Sequence, residues 1–116
     1  MKFALCNEVF QHLSLEDGFS RIAEIGYQGV EIAPFTLKEN PLEIEENDAD
    51  RCIEAAKSAG IEIVGLHWLM AKTEGLHLTH PDEGMRSAAC EYLKKLTLLT
   101  ARTVSYTHLT LPTMDS

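Results

Sequence analysis

Residues 61–70 read IEIVGLHWLM, and the five before them read AKSAG (56–60). Isoleucine, valine and leucine crowd positions 61–66 directly behind a glycine. That pattern predicts a buried strand entered from a helix whose C-terminus is capped by Gly60 in the left-handed conformation. The helix is DADRCIEAAKSAG (48–60), with Asn47 or Asp48 as its expected cap. Cys52, Ala55, Ala56 and Ala59 form its expected buried face, small enough to lie close to a sheet.

The same unit recurs upstream. GVEIAPF (29–35) is a β-branched run closed by Pro34, predicting a strand over 29–33. Before it, Leu15, Phe19 and Ile22 recur at helical spacing. Ser14, with Asp17 three residues on, is a weaker form of the capping box, and Gly26 stands at the C-terminal cap. KFALCNE (2–8) predicts the first strand. Downstream, the polar stretch AKTEGLHLTHPDEG (71–84) leads to a third helix over Glu83–Thr100, with Met85, Ala88, Tyr92, Leu96 and Leu99 on its apolar face. The segment TLKENPLEIEEND (36–48) reads as a surface connection. The order β-α-β-α-β-α implies parallel strands joined by right-handed crossovers.

Composition fits this class. Of 116 residues, 45% are hydrophobic and 24% charged, with a formal net charge of −8. That charge argues against a nucleic-acid partner, which needs a basic surface. No apolar run approaches membrane-span length, and MKFALCNEVF lacks the long h-region of a signal peptide. Three widely spaced cysteines, Cys6, Cys52 and Cys90, give neither a disulfide framework nor a CxxC motif, so reduced buried thiols in a cytoplasmic protein are expected.

The C-terminal stretch breaks the pattern. After the third helix a turn and a fourth apolar strand are due, and VSYTHLTLPT (104–113) supplies neither. Those ten residues resemble, without mismatch, one frame of a transposon-based sequencing adapter. The expected division is therefore 1–102 as native α/β sequence and 103–116 as an adapter-derived tail, in which Tyr106, His108 and Pro112 carry no functional information.

Three βα units do not close a barrel, and an open three-stranded sheet leaves strand edges unpaired. The expected fold is the first three βα units of an incomplete (β/α)8 TIM barrel. A doubly wound sheet is the alternative, disfavoured because CNEVFQHLS (6–14) contains no glycine-rich phosphate loop. CNEVF (6–10), IAEIGYQGVEIAPF (22–35), AKSAGIEIVGLHWLM (56–70) and EGLHLTHPDEGMRSAACEYLKKL (74–96) together resemble the sugar phosphate isomerase/epimerase family of xylose-isomerase-like barrels. The resemblance covers nearly all of 1–102. It implies a parent enzyme that isomerises or epimerises a carbohydrate with a divalent metal, most of whose ligands reside on later strands. The fragment alone is then expected to be inactive and to hold no metal.

Polar residues near the C-terminal ends of the strands are the site candidates, since barrels do chemistry there. In simple alternation Ile61, Ile63, Gly65 and His67 share one face of the third strand, and Val64, Leu66 and Trp68 the other. Glu31 opposes Val30 and Ile32, and Glu8 shares a face with Ala4 and Cys6. If the larger apolar sets face the helices, Glu8, Glu31 and His67 converge inward. Expected substrate-binding residues are thus His67, Glu31, Glu8, Trp68 and Asn7, with His67 also a candidate metal ligand. Glu31, as a mid-strand carboxylate, is expected to be buried and paired with His67 or substrate. A lone strand-end histidine is as often structural, Glu8 could cap a loop, and an indole is more often core or barrel rim than a sugar platform. His12, His77 and His80 lack metal spacing such as HExxH and read as solvated. An abasic-DNA endonuclease, whose barrel is related, and a small non-catalytic α/β module are the rival functions.

Overall fold

A computed structural model of the chain describes residues 2–73 and 76–115, the last of these (105–115) by backbone alone. Three strands, β1 (Ala4–Cys6), β2 (Gly29–Ile32) and β3 (Glu62–Leu66), alternate with three helices, α1 (Leu15–Ile25), α2 (Glu46–Ala59) and α3 (Glu83–Asp115). The strands pair in parallel in the order β1-β2-β3. The α/β alternation read from the sequence is therefore present. Each strand is shorter than expected. β1 stops at Cys6 because Asn7–Phe10 coil into a 3-10 turn, so Glu8 and Asn7 do not lie on a strand.

The helix caps explain where α1 and α2 begin and end. Ser14 Oγ accepts a hydrogen bond from the Asp17 N–H at 3.1 Å. Gly26 (φ 113°) and Gly60 (φ 73°) take the left-handed caps expected of them. The start of α2 differs from expectation. Its cap is Glu45, whose N–H donates to Asp48 Oδ2 at 2.9 Å while the Asp48 N–H donates back to the Glu45 carbonyl. Asp48 thus acts from the third helical position, as in a capping box. The 36–48 connection is not purely surface either: Leu37, Pro41 and Ile44 are buried.

α3 runs on past Thr100 to Asp115. Its buried stripe is Ala89, Tyr92, Leu96, Leu99 and Thr103, with Met85 packed against the core. Ala88 is exposed, because alternating steps of four and three residues from Met85 arrive at Ala89 instead. Near its middle α3 is tied to α2 through Arg102, whose Nη2 lies 2.7 Å from Asp50 Oδ1 and Nη1 3.4 Å from Glu46 Oε1.

The helices cover one face of the sheet. Val30, Ile32, Ile61 and Ile63 join Phe19, Ile22, Cys52, Ala56, Leu96 and Leu99 in one core. Between Val30 and Glu31 the pairing with β3 steps from Ile63 to Gly65, leaving Val64 as the extra residue of a β-bulge. Strict alternation would put His67 on the side of Ile61 and Ile63, inside the helix layer. The bulge re-phases the strand, so the isoleucines face the core while His67 emerges on the opposite face beside Glu31.

On that opposite face Gly29 has a specific task. A Cβ there would stand 2.9 Å from Val64 Cγ1 and 3.2 Å from the Ala4 Cβ. The missing side chain lets the outer strands meet across β2, and the same path carries the Lys2–Glu62 ion pair at 3.2 Å. Gly29→Ala is expected to destabilise the chain by about 1–2 kcal/mol through overpacking, against an intrinsic strand preference of the opposite sign. A urea titration of Gly29→Ala with and without Val64→Ala checks this, since trimming Val64 should restore most of the loss.

The cysteines are all free, but only Cys52 is fully buried; Cys6 is half-buried and Cys90 exposed, against the expectation of three buried thiols. Burial pushes the Cys52 thiol up to about 12, with the Asp48 carboxylate adding to the effect. The unfolded chain ionises this thiol near its ordinary value of 9.0, so between these values the native state holds a proton that the unfolded state has lost. The contribution of Cys52 to stability is intact below that range and is lost as pH rises through it, by about 1.4 kcal/mol per pH unit. Urea midpoints should therefore fall from about pH 8 to about pH 10, and fall less in Cys52→Ala.

Candidate functional site

The uncovered face of the sheet carries the candidate residues Glu31 and His67. Cys6 pairs in register with Glu31, and Glu31 with Gly65. The His67 N–H continues the ladder to the Ile32 carbonyl at 3.0 Å. Two adjacent parallel strands thus end side by side, and His67 Nδ1 stands 3.9 Å from Glu31 Oε2. The pair expected from the sequence is brought together, as an ion-pair contact whose strength depends on His67 being protonated. Glu31 is not buried as expected: its side chain is 40% exposed and that of His67 48%, because no layer covers this face.

Glu8 sits in the 3-10 turn beyond β1, half-buried. It belongs to the same electrostatic neighbourhood. The Cys6 thiol is pushed up first by burial and then by the Glu8 and Glu31 carboxylates, against a lowering backbone hydrogen bond at Glu8. Cys6 is a site-facing group that the sequence reading passed over. Its alternation with Ala4 was the available signal.

Asn7 has a structural task. It is buried; its Oδ1 accepts from the Ala33 N–H at 2.9 Å and its Nδ2 donates to Thr36 Oγ1 at 2.8 Å. Thr36 Oγ1 in turn donates to the Ala33 carbonyl at 2.6 Å. With both amide ends engaged inside the protein and the residue buried, Asn7 braces the turn after β2.

That turn carries Phe35, a second residue the sequence reading missed. Trp68, 53% exposed, lies 6.2 Å from Phe35 and stacks on His67 at 5.8 Å with 29° between the rings. Lys72 Nζ stands over the Phe35 ring, 4.7 Å from its centroid. Trp68 is therefore not a core residue. Both Trp68 (φ 58°) and Lys72 (φ 61°) adopt left-handed backbone, a strained choice for residues with a Cβ.

A divalent metal, which the family resemblance implies, needs more donors than this face offers. His67 and Glu31 supply two, and among the described residues no group of three or more His, Cys, Asp or Glu side chains is arranged to hold a metal ion. His77 and His80 stack on each other at 6.2 Å, and His80 Nδ1 accepts from the Asp82 N–H at 3.0 Å. Their place is the entry to α3, where His80 serves the backbone. Among the described residues no helix is long and apolar enough to cross a membrane. Comparison with known protein families gives no match, and comparison with curated proteins gives none.

Proposed function

We propose that residues 1–102 are the first three βα units of a (β/α)8 barrel whose parent is a sugar or sugar-phosphate isomerase or epimerase of the xylose-isomerase-like kind. The observation that carries this reading is the meeting of Glu31 and His67 on the uncovered face, at the C-terminal ends of adjacent parallel strands. That is the end at which barrels place their chemistry. The uncovered face also supports a barrel interior over a doubly wound sheet. The helices pack on one face of the sheet, as the outer layer of a barrel does, whereas a doubly wound sheet carries helices on both faces.

In this reading His67 hydrogen-bonds a hydroxyl or carbonyl of the carbohydrate, while Glu31 accepts from a neighbouring hydroxyl and orients the imidazole. Glu8 adds negative potential at the mouth of β1. The acidic pair that moves the proton, and the ligands of the metal, lie on strands after β3. Residues 103–116 are adapter-derived.

Reading the source template outward from the codon of Leu96 with adapter-free chemistry tests the proposal. The expected frame continues past Arg102 into a glycine turn and a fourth apolar strand, with later strands ending in Glu, Asp and His. A template that encodes VSYTHLTLPTMDS followed by a stop overturns it.

A further inference from the structure

We propose that the groove between α2 and α3, in the helix layer and away from Glu31 and His67, is a contact between two copies of this chain related by a twofold axis. It does not rest on the enzymatic reading.

The groove encloses about 350 Å³, and Ile44, Ala49 and Leu99, all buried, form its apolar base. Two cationic side chains bridge it. Arg102 reaches from α3 to Asp50 at 2.7 Å and Glu46 at 3.4 Å, and Lys95 Nζ donates to the Leu42 carbonyl at 2.7 Å. From Lys95 to Arg102 is two helical turns, about 10 Å along the axis. An opening of that length admits one or two side chains, not the face of a docked helix or the run of an extended peptide. Between the bridges Leu98 stands on the α3 wall, 72% exposed, more than any other large apolar side chain among the described residues. Leu42, at the Lys95 end, is exposed as well.

Shape and charge together select a second copy as the occupant. A knob and a hole sit side by side on one surface, so a twofold axis seats the Leu98 of each copy in the groove of the other. The two walls carry opposite signs: Lys95 and Arg102 on α3, and Glu45, Glu46 and Asp50 at the start of α2. The same rotation lays the basic wall of one copy on the acidic wall of its partner, twice. An unrelated protein would have to present a branched apolar side chain flanked by charges in the reverse order. This chain already does. One groove and its rim make a small contact, so the dimer is weak and depends on concentration.

Sedimentation velocity of the full chain tests this. The expected result is a reversible monomer–dimer equilibrium with a dissociation constant of roughly 10–500 µM and no larger species. Leu98→Glu keeps a good helix former at an exposed position and should weaken the dimer by about tenfold or more. Leu78→Glu, at an exposed leucine outside the groove, should leave it unchanged. The charged walls give a second readout. Lys95→Glu and Glu45→Lys should each weaken self-association, and an equimolar mixture of the two should restore it, because only the mixed dimer brings unlike charges together at both contacts. Circular dichroism of each variant checks that it stays folded. A chain that remains monomeric throughout that range overturns the proposal and leaves the groove to another occupant. So do dimers that survive Leu98→Glu, which would place the contact elsewhere, such as the open edges of the sheet. Open-ended assemblies overturn it too, since a twofold contact closes on itself, and so does a mixture that associates no better than its parts.

Discussion

Phe19→Ala is expected to lower the unfolding free energy by about 3–5 kcal/mol, a large share of the roughly 5–15 kcal/mol typical of a domain. Phe19 is fully buried, as are Ile22, Val30 and Ile32, and with Leu15 and Ile22 it forms the stripe that fixes α1 in the core. Truncation leaves a cavity under a short helix whose ends are already capped, so little can collapse to fill it. The consequence reaches the site. If α1 lifts, Val30 and Ile32 lose their cover, and with it the constraint that keeps Glu31 on the other face. Urea unfolding followed by circular dichroism checks the value, with Phe3→Ala as the comparison. Phe3 is 59% exposed, and its truncation should stay within about 0.5 kcal/mol. A Phe19→Ala loss no greater than that of Phe3→Ala would contradict the core described here.

The second large effect belongs to Asn7→Ala. Removing the amide leaves the Ala33 N–H without its acceptor and Thr36 Oγ1 without its donor, for an expected loss of about 2–4 kcal/mol. Thr36→Val, which removes only the far end of the brace, should lose about 1 kcal/mol. The distinguishing readout is optical. Because Asn7 fixes the turn that carries Phe35, Asn7→Ala should shift the emission of Trp68 even under conditions where the chain remains folded. An unshifted emission would show that the turn keeps its place without Asn7.

Legibility of the fold followed the strength of local signals. Gly26 and Gly60 marked their helix ends because few other residues take a left-handed cap, and the apolar runs of β2 and β3 have no amphipathic reading. The cap of α2 was misplaced because Glu45, Asn47 and Asp48 are all polar candidates, and only the reciprocal bond between Glu45 and Asp48 decides among them. Ala89 lies on the buried face where Ala88 is expected, because neighbouring alanines carry no contrast in hydropathy.

Within the site, the pairing of Glu31 with His67 was legible, though the assumed phase of β3 was wrong. Alternation put His67 with Ile61 and Ile63, and nothing in the letters announces the extra residue at Val64. The bracing task of Asn7 was not legible for a related reason: a buried amide that braces two backbone segments looks, in sequence, the same as one that faces a ligand. Phe35 and Lys72 were missed because their relation to Trp68 is made by loop geometry, and left-handed backbone at a tryptophan or lysine has no signature in composition.

The bulge at Val64 divides a ten-residue stretch between two masters. Residues up to Ile63 answer to the core, and beyond Val64 Leu66 still packs against it while His67 and Trp68 are half exposed beside Glu31. Substitutions on the first side should drift with the helices they pack against, while those at His67 and Trp68 are free of that constraint. On the proposed reading, a lineage could thus change what it binds at His67 and Trp68 without disturbing Ile61, Ile63 and Leu66, and a single deletion at Val64 would force both sets of demands onto the same face.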